Sequence, residues 1–204
     1  IDFAALRRAS PVKLFIAATH ANSGKLRIFR NGELSVDTLL ASTCLPTIHR
    51  SIVIDGEPYW DGGYSANPAL FPLYAPTLPN DIVVVNINPL VRHDLPRTAE
   101  EIDDRINEIS FNAALLGELR SVNFVRELIA EGRMQADRMK DVYVHLIADD
   151  RLMNELTAET KSSASPALIA RLKEAGRKAA ARFLAKHGDT LNVTGSVDLK
   201  ALFG

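Results

Sequence analysis

A lone aspartate followed by two glycines is the feature of this sequence that points most directly to chemistry. Asp61 follows the aromatic pair in the stretch EPYW, and Gly62 and Gly63 come next. Glycine allows positive φ and carries no Cβ, so the loop can pass very close to another group. A carboxylate in such a loop is suited to accept a proton from a nucleophile. The alternative is a plain tight turn, for which aspartate and glycine are common residues.

The histidines are weaker candidates. The sequence contains five, at His20, His49, His93, His145 and His187. His20 and His49 flank the aspartate loop in sequence and are candidate residues of a substrate pocket. No histidine has zinc-ligand spacing to another histidine or to Cys44, the only cysteine, so neither a metal nor another cofactor is predicted. Structural roles are expected for His145, in a strand pattern, and for His187, at a helix end.

The usual nucleophile of a serine hydrolase is missing from these 204 residues. Such enzymes hold the serine in a G-x-S-x-G turn between a strand and a helix, and this motif does not occur here. A Ser–His–Asp triad built from residues far apart in sequence stays open, because triads assemble in space. Cys44 follows an apolar helix and is expected to be a small buried residue rather than a nucleophile.

Short strands and turns are predicted before the aspartate loop. The apolar run at 11–20 predicts a buried strand, and Asn31-Gly32 predicts a tight turn after a second strand. Ser35 is the expected N-cap of a short helix. Residues 51–60 then predict two small strands around an Asp-Gly turn, which places the aspartate loop at the end of the second strand.

Longer elements are predicted in the rest of the chain. Residues 81–89 and 141–149 have strand patterns, and the first has four consecutive apolar residues that suit a strand covered on both faces. A capping box opens a long helix over 98–132, with a break near 110–117. A serine followed by proline opens a final helix over 165–188. The apolar stripe of the long helix is Ile102, Ile106, Ile109, Ala113 and Leu116.

Strands that alternate with helices predict an α/β fold of three layers, a mostly parallel sheet with helices on both faces. The hairpins of the first third add antiparallel or peripheral strands. The net charge of −1 gives no case for binding nucleic acid. No apolar run reaches the length of about 18 residues that spans a bilayer, so the default location is the cytoplasm.

Residues 12–70 resemble the patatin-like phospholipases over an ordered set of features. The matching features are a strand ending at Thr19, a polar loop to Ser23-Gly24, Ala41-Ser42, Leu45-Pro46, the hairpin IDGEPYW, the D-G-G motif at 61–63, and Asn67-Pro68. The later stretch DIVVVNINP is similar to the next core strand of that family. An ordered set of this length is more specific than the D-G-G motif alone.

The resemblance implies a serine acyl hydrolase with a Ser–Asp dyad and no catalytic histidine. Asp61 would be the partner of the serine, and Gly62 and Gly63 would shape its loop. In the family the serine elbow and a glycine-rich oxyanion loop precede the D-G-G motif. We therefore expect residues 1–204 to be the C-terminal portion of a single patatin-like catalytic domain. The chain alone is expected to be inactive, with a sheet that is incomplete without upstream residues.

The implied activity is that of a phospholipase A or esterase. Its implied partners are a lipid or other acyl-ester substrate and the upstream segment that carries the serine. A lipid substrate also allows transient, peripheral contact with a membrane. Two other functions stay open: a non-enzymatic lipid-binding or scaffolding protein that keeps the fold, and an unrelated α/β hydrolase that uses a histidine. An upstream G-x-S-x-G motif argues against the first, and a pH–rate profile with a histidine titration supports the second.

Overall fold

The computed structural model describes residues 1–92, 94–135, 138–156, 160 and 165–202. The chain divides into two compact units, Ile1–Pro72 with Ala113–Leu115, and Leu73–Asn112 with Leu116–Gly204. Helices and strands are mixed, which confirms the α/β class at its coarse level. Within the described ranges, no helix is long and apolar enough to cross a membrane.

The elements follow in chain order. The strands are β1 (Phe15–His20), β2 (Leu26–Arg30), β3 (Ile52–Ile54), β4 (Glu57–Asp61), β5 (Asp81–Asn86) and β6 (Tyr143–Ala148). The helices are α1 (Phe3–Ala9), α2 (Val36–Ser42), α3 (Ala99–Ala130), α4 (Asp150–Glu155) and α5 (Pro166–His187). Short 3-10 turns lie at Asn31–Glu33, Gly62–Tyr64, Phe71–Tyr74, Gly188–Thr190 and Lys200–Leu202.

The sheet of the first unit is antiparallel, with strand order β2-β1-β4-β3. The predicted hairpin is confirmed as β3 and β4, and its turn residues Asp55 and Gly56 have φ of 52° and 84°. Two consecutive residues with positive φ are what a two-residue hairpin turn requires. The antiparallel strands expected in the first third of the chain are confirmed. The prediction of one mostly parallel sheet is wrong, because the strands around Asp61 form a separate, wholly antiparallel sheet.

The turn predicted at Asn31-Gly32 is present, but it does not join two paired strands. β1 and β2 are connected through residues 21–25, where Gly24 has φ of 67°. Asn31 instead opens a 3-10 turn after β2, and its side chain accepts a hydrogen bond from Leu14 N and donates one to Val12 O, both at 2.8 Å. The side chain thus fixes the entry into β1.

The core of the first unit lies between its sheet and α2. Its buried members are Ala18, Phe29, Leu34, Ala41 and Tyr59. The predicted N-cap of α2 is confirmed, because Ser35 Oγ accepts a hydrogen bond from Thr38 N at 3.3 Å. No residue of β1 is exposed, which agrees with a strand covered on both faces.

The second unit contains the parallel pair β5 and β6, in which Asp81 lies opposite Tyr143 and Asn86 opposite Ala148. The prediction that β5 is covered on both faces is wrong for the described residues. Ile82 and Val84 are buried, but Val83 and Val85 are 42% and 67% exposed. Side chains alternate between the faces of a strand, so the apolar run presents one covered face and one open face.

The long helix α3 begins at the predicted capping box, since Thr98 Oγ1 accepts from Glu101 N at 3.2 Å. The helix is continuous, so the predicted break near 110–117 is wrong. The predicted apolar stripe is also wrong, because Ile102, Ile106, Ile109 and Ala113 are exposed. Glu108 is buried instead. Glu108 forms ion pairs with Arg92 and Arg105, two arginines of this unit. These partners allow the carboxylate of Glu108 to be buried.

The final helix α5 begins at the predicted serine and proline. The helix also ends where predicted, at His187 with Gly188 as its C-cap. The pattern Lys-His-Gly is typical of a glycine that ends a helix in a left-handed conformation, but Gly188 has φ of −56° and ψ of −40° and leads into the 3-10 turn Gly188–Thr190 instead.

Candidate active site

Asp61 is the last residue of β4, as predicted, and its main chain is bound on both sides. Asp61 N donates to Cys44 O at 2.9 Å, and Thr19 Oγ1 donates to Asp61 O at 2.8 Å. The first bond holds Asp61 to the segment that follows α2, and the second holds it to the central strand β1. The position of the half-buried carboxylate is therefore set by two neighbouring elements.

The two carboxylate oxygens of Asp61 have different surroundings. Oδ1 accepts a hydrogen bond from Gly63 N at 2.7 Å and so caps the 3-10 turn Gly62–Tyr64. Oδ2 makes no hydrogen bond to any residue that the structure describes. The capping bond is what a plain turn would use. The second oxygen leaves the carboxylate able to accept a proton while the first fixes its orientation.

Gly62 is required by a close approach rather than by its backbone angles. It is not among the described glycines with positive φ, which are Gly24, Gly56 and Gly132. A Cβ at Gly62 would lie 2.6 Å from the carbonyl carbon of Ala17 and 2.7 Å from its Cβ, and closer still to its carbonyl oxygen. Real Cβ atoms essentially never come so near to a backbone. The loop therefore crosses β1 at a distance that only glycine permits.

Two hydroxyl residues that sequence reasoning missed hold the loop in place. Thr19 Oγ1 lies 2.8 Å from Ser65 Oγ as well as bonding to Asp61. Ser65 N and Ala66 N both donate to Gly62 O, at 3.0 and 2.8 Å. Thr19 and Ser65 are 46 positions apart in sequence, so no local motif signals this contact.

The charge of Asp61 affects the pKa of Tyr64, which lies in the same loop. Burial and, to a smaller extent, the negative charge of Asp61 raise the pKa of the Tyr64 hydroxyl. The phenol therefore stays protonated over a wider range of pH, and it remains a hydrogen-bond donor beside the aspartate loop.

The two candidate pocket histidines have different surroundings. His20 Nδ1 lies 2.7 Å from Ser23 Oγ and its Nε2 lies 2.7 Å from Glu57 Oε2. Both nitrogens of His20 are thus engaged by the β1–β2 connection and by the start of β4 rather than by Asp61. His49 is exposed and shares the lining of an open groove with Trp60, the residue that precedes Asp61.

This groove has a volume of about 600 Å³. Its lining consists of Pro46, Thr47, Ile48, His49, Arg50, Ser51 and Trp60. Cys44 anchors the segment beside it, because the buried thiol donates to Arg50 O at 3.1 Å. The expectation that Cys44 is a small buried residue is confirmed.

A second polar cluster lies in the other unit around His145, for which a structural role in a strand was expected; its partners were not predicted. His145 is fully buried, with Nδ1 at 3.0 Å from Ser196 Oγ and Nε2 at 2.8 Å from Asp81 Oδ1. Asn192 N also donates to both oxygens of Asp81, at 3.0 and 3.1 Å. The three residue types are those of a catalytic triad. The backbone of Ser196 is fixed as well, since Ser196 N donates a hydrogen bond to Val144 O at 3.1 Å.

Metal-ligating side chains are not clustered in the described ranges, where no group of three or more His, Cys, Asp or Glu residues could hold an ion. His93 lies outside the described residues.

The sequence has no match among protein-family models, and it matches no curated protein.

Proposed function

We propose that this chain supplies the base of a patatin-like serine acyl hydrolase that cleaves lipid acyl esters. Asp61 is the base, and a serine outside these 204 residues is the nucleophile. The observation that carries the proposal is the geometry of the carboxylate. One oxygen is fixed by Gly63 N at 2.7 Å, the other is unpaired among the described residues, and Gly62 brings the loop against the backbone of β1.

The chemistry requires only what such a carboxylate can do. As the serine oxygen attacks the ester carbonyl, its proton passes to Asp61 Oδ2. The same proton then moves to the oxygen of the leaving alcohol when the tetrahedral intermediate collapses, which leaves an acyl-serine. Water, deprotonated in turn by Asp61, then attacks that ester, and Asp61 returns the proton to the serine oxygen as the carboxylic acid leaves. Gly63 N keeps the carboxylate oriented throughout. The hydrogen bond from Thr19 Oγ1 to Asp61 O and the one from Asp61 N to Cys44 O keep the strand end in place.

A second candidate function is a histidine-dependent hydrolase centred on Ser196, His145 and Asp81. The distances of 3.0 and 2.8 Å favour it. Against it, His145 is fully buried and both oxygens of Asp81 already accept from Asn192 N. A base needs a substrate within reach, so the cluster fits a structural tie better than a catalytic site.

The first test replaces Asp61 by asparagine in the full-length protein encoded by the gene. The amide keeps the shape and the contact with Gly63 N but cannot take the serine proton. We expect the kcat for a p-nitrophenyl ester to fall by roughly 10⁴, as for other members of catalytic units. The matched control is Asp55→Asn, the same chemical change at a turn residue of the same hairpin with positive φ, where asparagine is well tolerated. Near-wild-type turnover of Asp61→Asn would remove Asp61 from the mechanism.

The second test separates the two candidates by covalent labelling. A fluorophosphonate reacts with an activated serine, and the labelled peptide is identified by mass spectrometry. We expect the full-length protein to be labelled at a serine outside these 204 residues and the 204-residue chain alone to remain unlabelled. Labelling of Ser196 in either protein would support the histidine-dependent hydrolase instead.

A further inference from the structure

We propose that the groove lined by residues 46–51 and Trp60 binds the phosphate of a lipid head group, with Arg50 as its main contact. Only the identification of the ligand as a lipid rests on the proposed function. The recognition of a phosphate ester follows from the groove itself.

The donors in this groove match a phosphate anion. Arg50 and His49 supply nitrogen donors, Thr47 and Ser51 supply hydroxyls, and none of the lining residues is a carboxylate. A phosphate group presents several acceptor oxygens, and the planar guanidinium of arginine can donate to two of them at once. The ring of Trp60 adds an apolar wall beside these donors, suited to the carbon atoms that flank a phosphate in an ester.

Arg50 also has unused donors. Its exposed side chain makes no hydrogen bond or ion pair with the residues that the structure describes, and only its carbonyl is engaged, by Cys44 Sγ. Arg27, in the same unit, is paired with Glu33. An arginine without a carboxylate partner retains its whole charge for a ligand.

The position of the groove connects head-group binding to the chemistry at Asp61. The segment that carries Arg50 is tied to Cys44 through Sγ, and Cys44 O accepts from Asp61 N at 2.9 Å. Trp60 also lines the groove and directly precedes Asp61 in β4, where successive side chains point to opposite faces of the strand. A phosphate held by Arg50 would therefore lie on a segment that is hydrogen-bonded to the backbone of Asp61 through Cys44.

Binding to the full-length protein encoded by the gene is measured by isothermal titration calorimetry, with glycerol 3-phosphate and with glycerol as titrants. We expect saturable binding of glycerol 3-phosphate that weakens as salt is added, and none of glycerol. Arg50→Gln should weaken the binding about tenfold or more, since a hydrogen bond to a charged group is lost. Absence of a response, or an equal response from Arg50→Gln, would overturn the proposal.

The matched control is Arg8→Gln, because Arg8 is also exposed and makes no ion pair among the described residues, but lies in α1. This variant should bind like the wild type. If it weakens binding as much as Arg50→Gln does, the response reports net charge and the groove is not the site.

A third arm distinguishes a lipid phosphate from a free one. Vesicles of phosphatidylglycerol in a neutral lipid should bind more tightly than glycerol 3-phosphate or inorganic phosphate, and Arg50→Gln should reduce that binding. Binding of the soluble phosphates without any binding of vesicles would overturn the lipid head group as the ligand.

Failure of this proposal and failure of the hydrolase are distinguishable. If Arg50→Gln binds normally while Asp61→Asn abolishes turnover, the groove proposal alone is wrong. If binding depends on Arg50 but esterase activity does not depend on Asp61, the groove proposal stands and the assignment of Asp61 as the base is wrong. In the active protein, Arg50→Gln should raise KM for a phospholipid and leave KM for a p-nitrophenyl ester unchanged.

Discussion

Asp61 and Asp81 both lie at one end of a β-strand, but their carboxylates are used in opposite ways. In the first unit, only one oxygen of Asp61 accepts a hydrogen bond from the described residues, and the donor is a neighbouring backbone N–H. In the second unit, Asp81 accepts from Asn192 N on both oxygens and contacts buried His145 as well. Asp81 joins segments that are 64 and 111 positions away from it in sequence.

The comparison shows why residue types alone do not identify a catalytic group. The cluster of Asp81, His145 and Ser196 has the composition of a triad, yet its members bind one another and the backbone. Asp61 has no histidine beside it, but it retains an oxygen that can take a proton. Unused hydrogen-bonding capacity in a fixed position is therefore the more informative property.

The largest expected effect on stability is that of His145→Ala. The change leaves a cavity and leaves Asp81 and Ser196 without their shared partner, so we expect a loss of about 4 kcal/mol in the free energy of unfolding. Chemical denaturation measures it, and the exposed His49→Ala should change stability by less than about 0.5 kcal/mol. Equal midpoints for the two variants would show that the cluster is not a structural tie.

Gly62→Ala should have the next largest effect, because its Cβ would meet the backbone of β1 at Ala17. We expect a loss of about 2 to 3 kcal/mol, the usual range for overpacking, together with loss of esterase activity as the end of β4 shifts. The control is Gly32→Ala, a position with no atom within 4 Å of a Cβ and no positive φ. If Gly62→Ala is as stable and active as Gly32→Ala, the close approach does not matter for the site.

The sequence predicted those parts of the fold and site that depend on local signals. The Asp-Gly turn of the β3–β4 hairpin, the Ser35 cap and the capping box at Thr98 each act within a few residues. The structure contains all three of these features, and it places Asp61 at the end of β4 as the sequence predicts. The contact between Thr19 and Ser65 depends on how β1 lies against β4, and no local signal joins two residues that are 46 positions apart.

The errors have physical causes of the same kind. Four consecutive apolar residues in β5 do not reveal which face is covered, because burial depends on what packs against the strand. The stripe that begins at Ile102 and Ile106 was expected to be buried, whereas Glu108 is buried instead with its arginine partners. Helical spacing identifies a face of a helix, but partners distant in sequence decide which face is buried.

Ser196→Ala tests the same comparison with a smaller effect. The variant loses the hydrogen bond between Ser196 Oγ and His145 Nδ1 but keeps the backbone bond to Val144 O. We expect a loss of about 1 kcal/mol in stability and no change in esterase turnover. Ser121→Ala is the control, since Ser121 Oγ bonds only to a carbonyl of its own helix and is exposed. A loss of turnover in Ser196→Ala alone would make the second cluster catalytic.

The smallest expected effect is the dependence of stability on pH that Asp81 contributes. Burial alone would raise the pKa of Asp81, but the hydrogen bond from Asn192 and the contact with His145 outweigh it and lower the pKa below its ordinary value of 3.8. A carboxylate with a lower pKa in the folded state stabilises the protein above the unfolded pKa, and this contribution disappears as pH falls through the folded pKa. The free energy of unfolding of the wild type should therefore decrease as pH falls from about 5 to below 3.8. Asp81→Asn should show a flatter decrease over that range, and Asp189→Asn, an exposed aspartate of the same unit, should follow the wild type. Parallel curves for wild type and Asp81→Asn would mean that the charge of Asp81 does not hold the cluster together, which would remove the main contrast with Asp61.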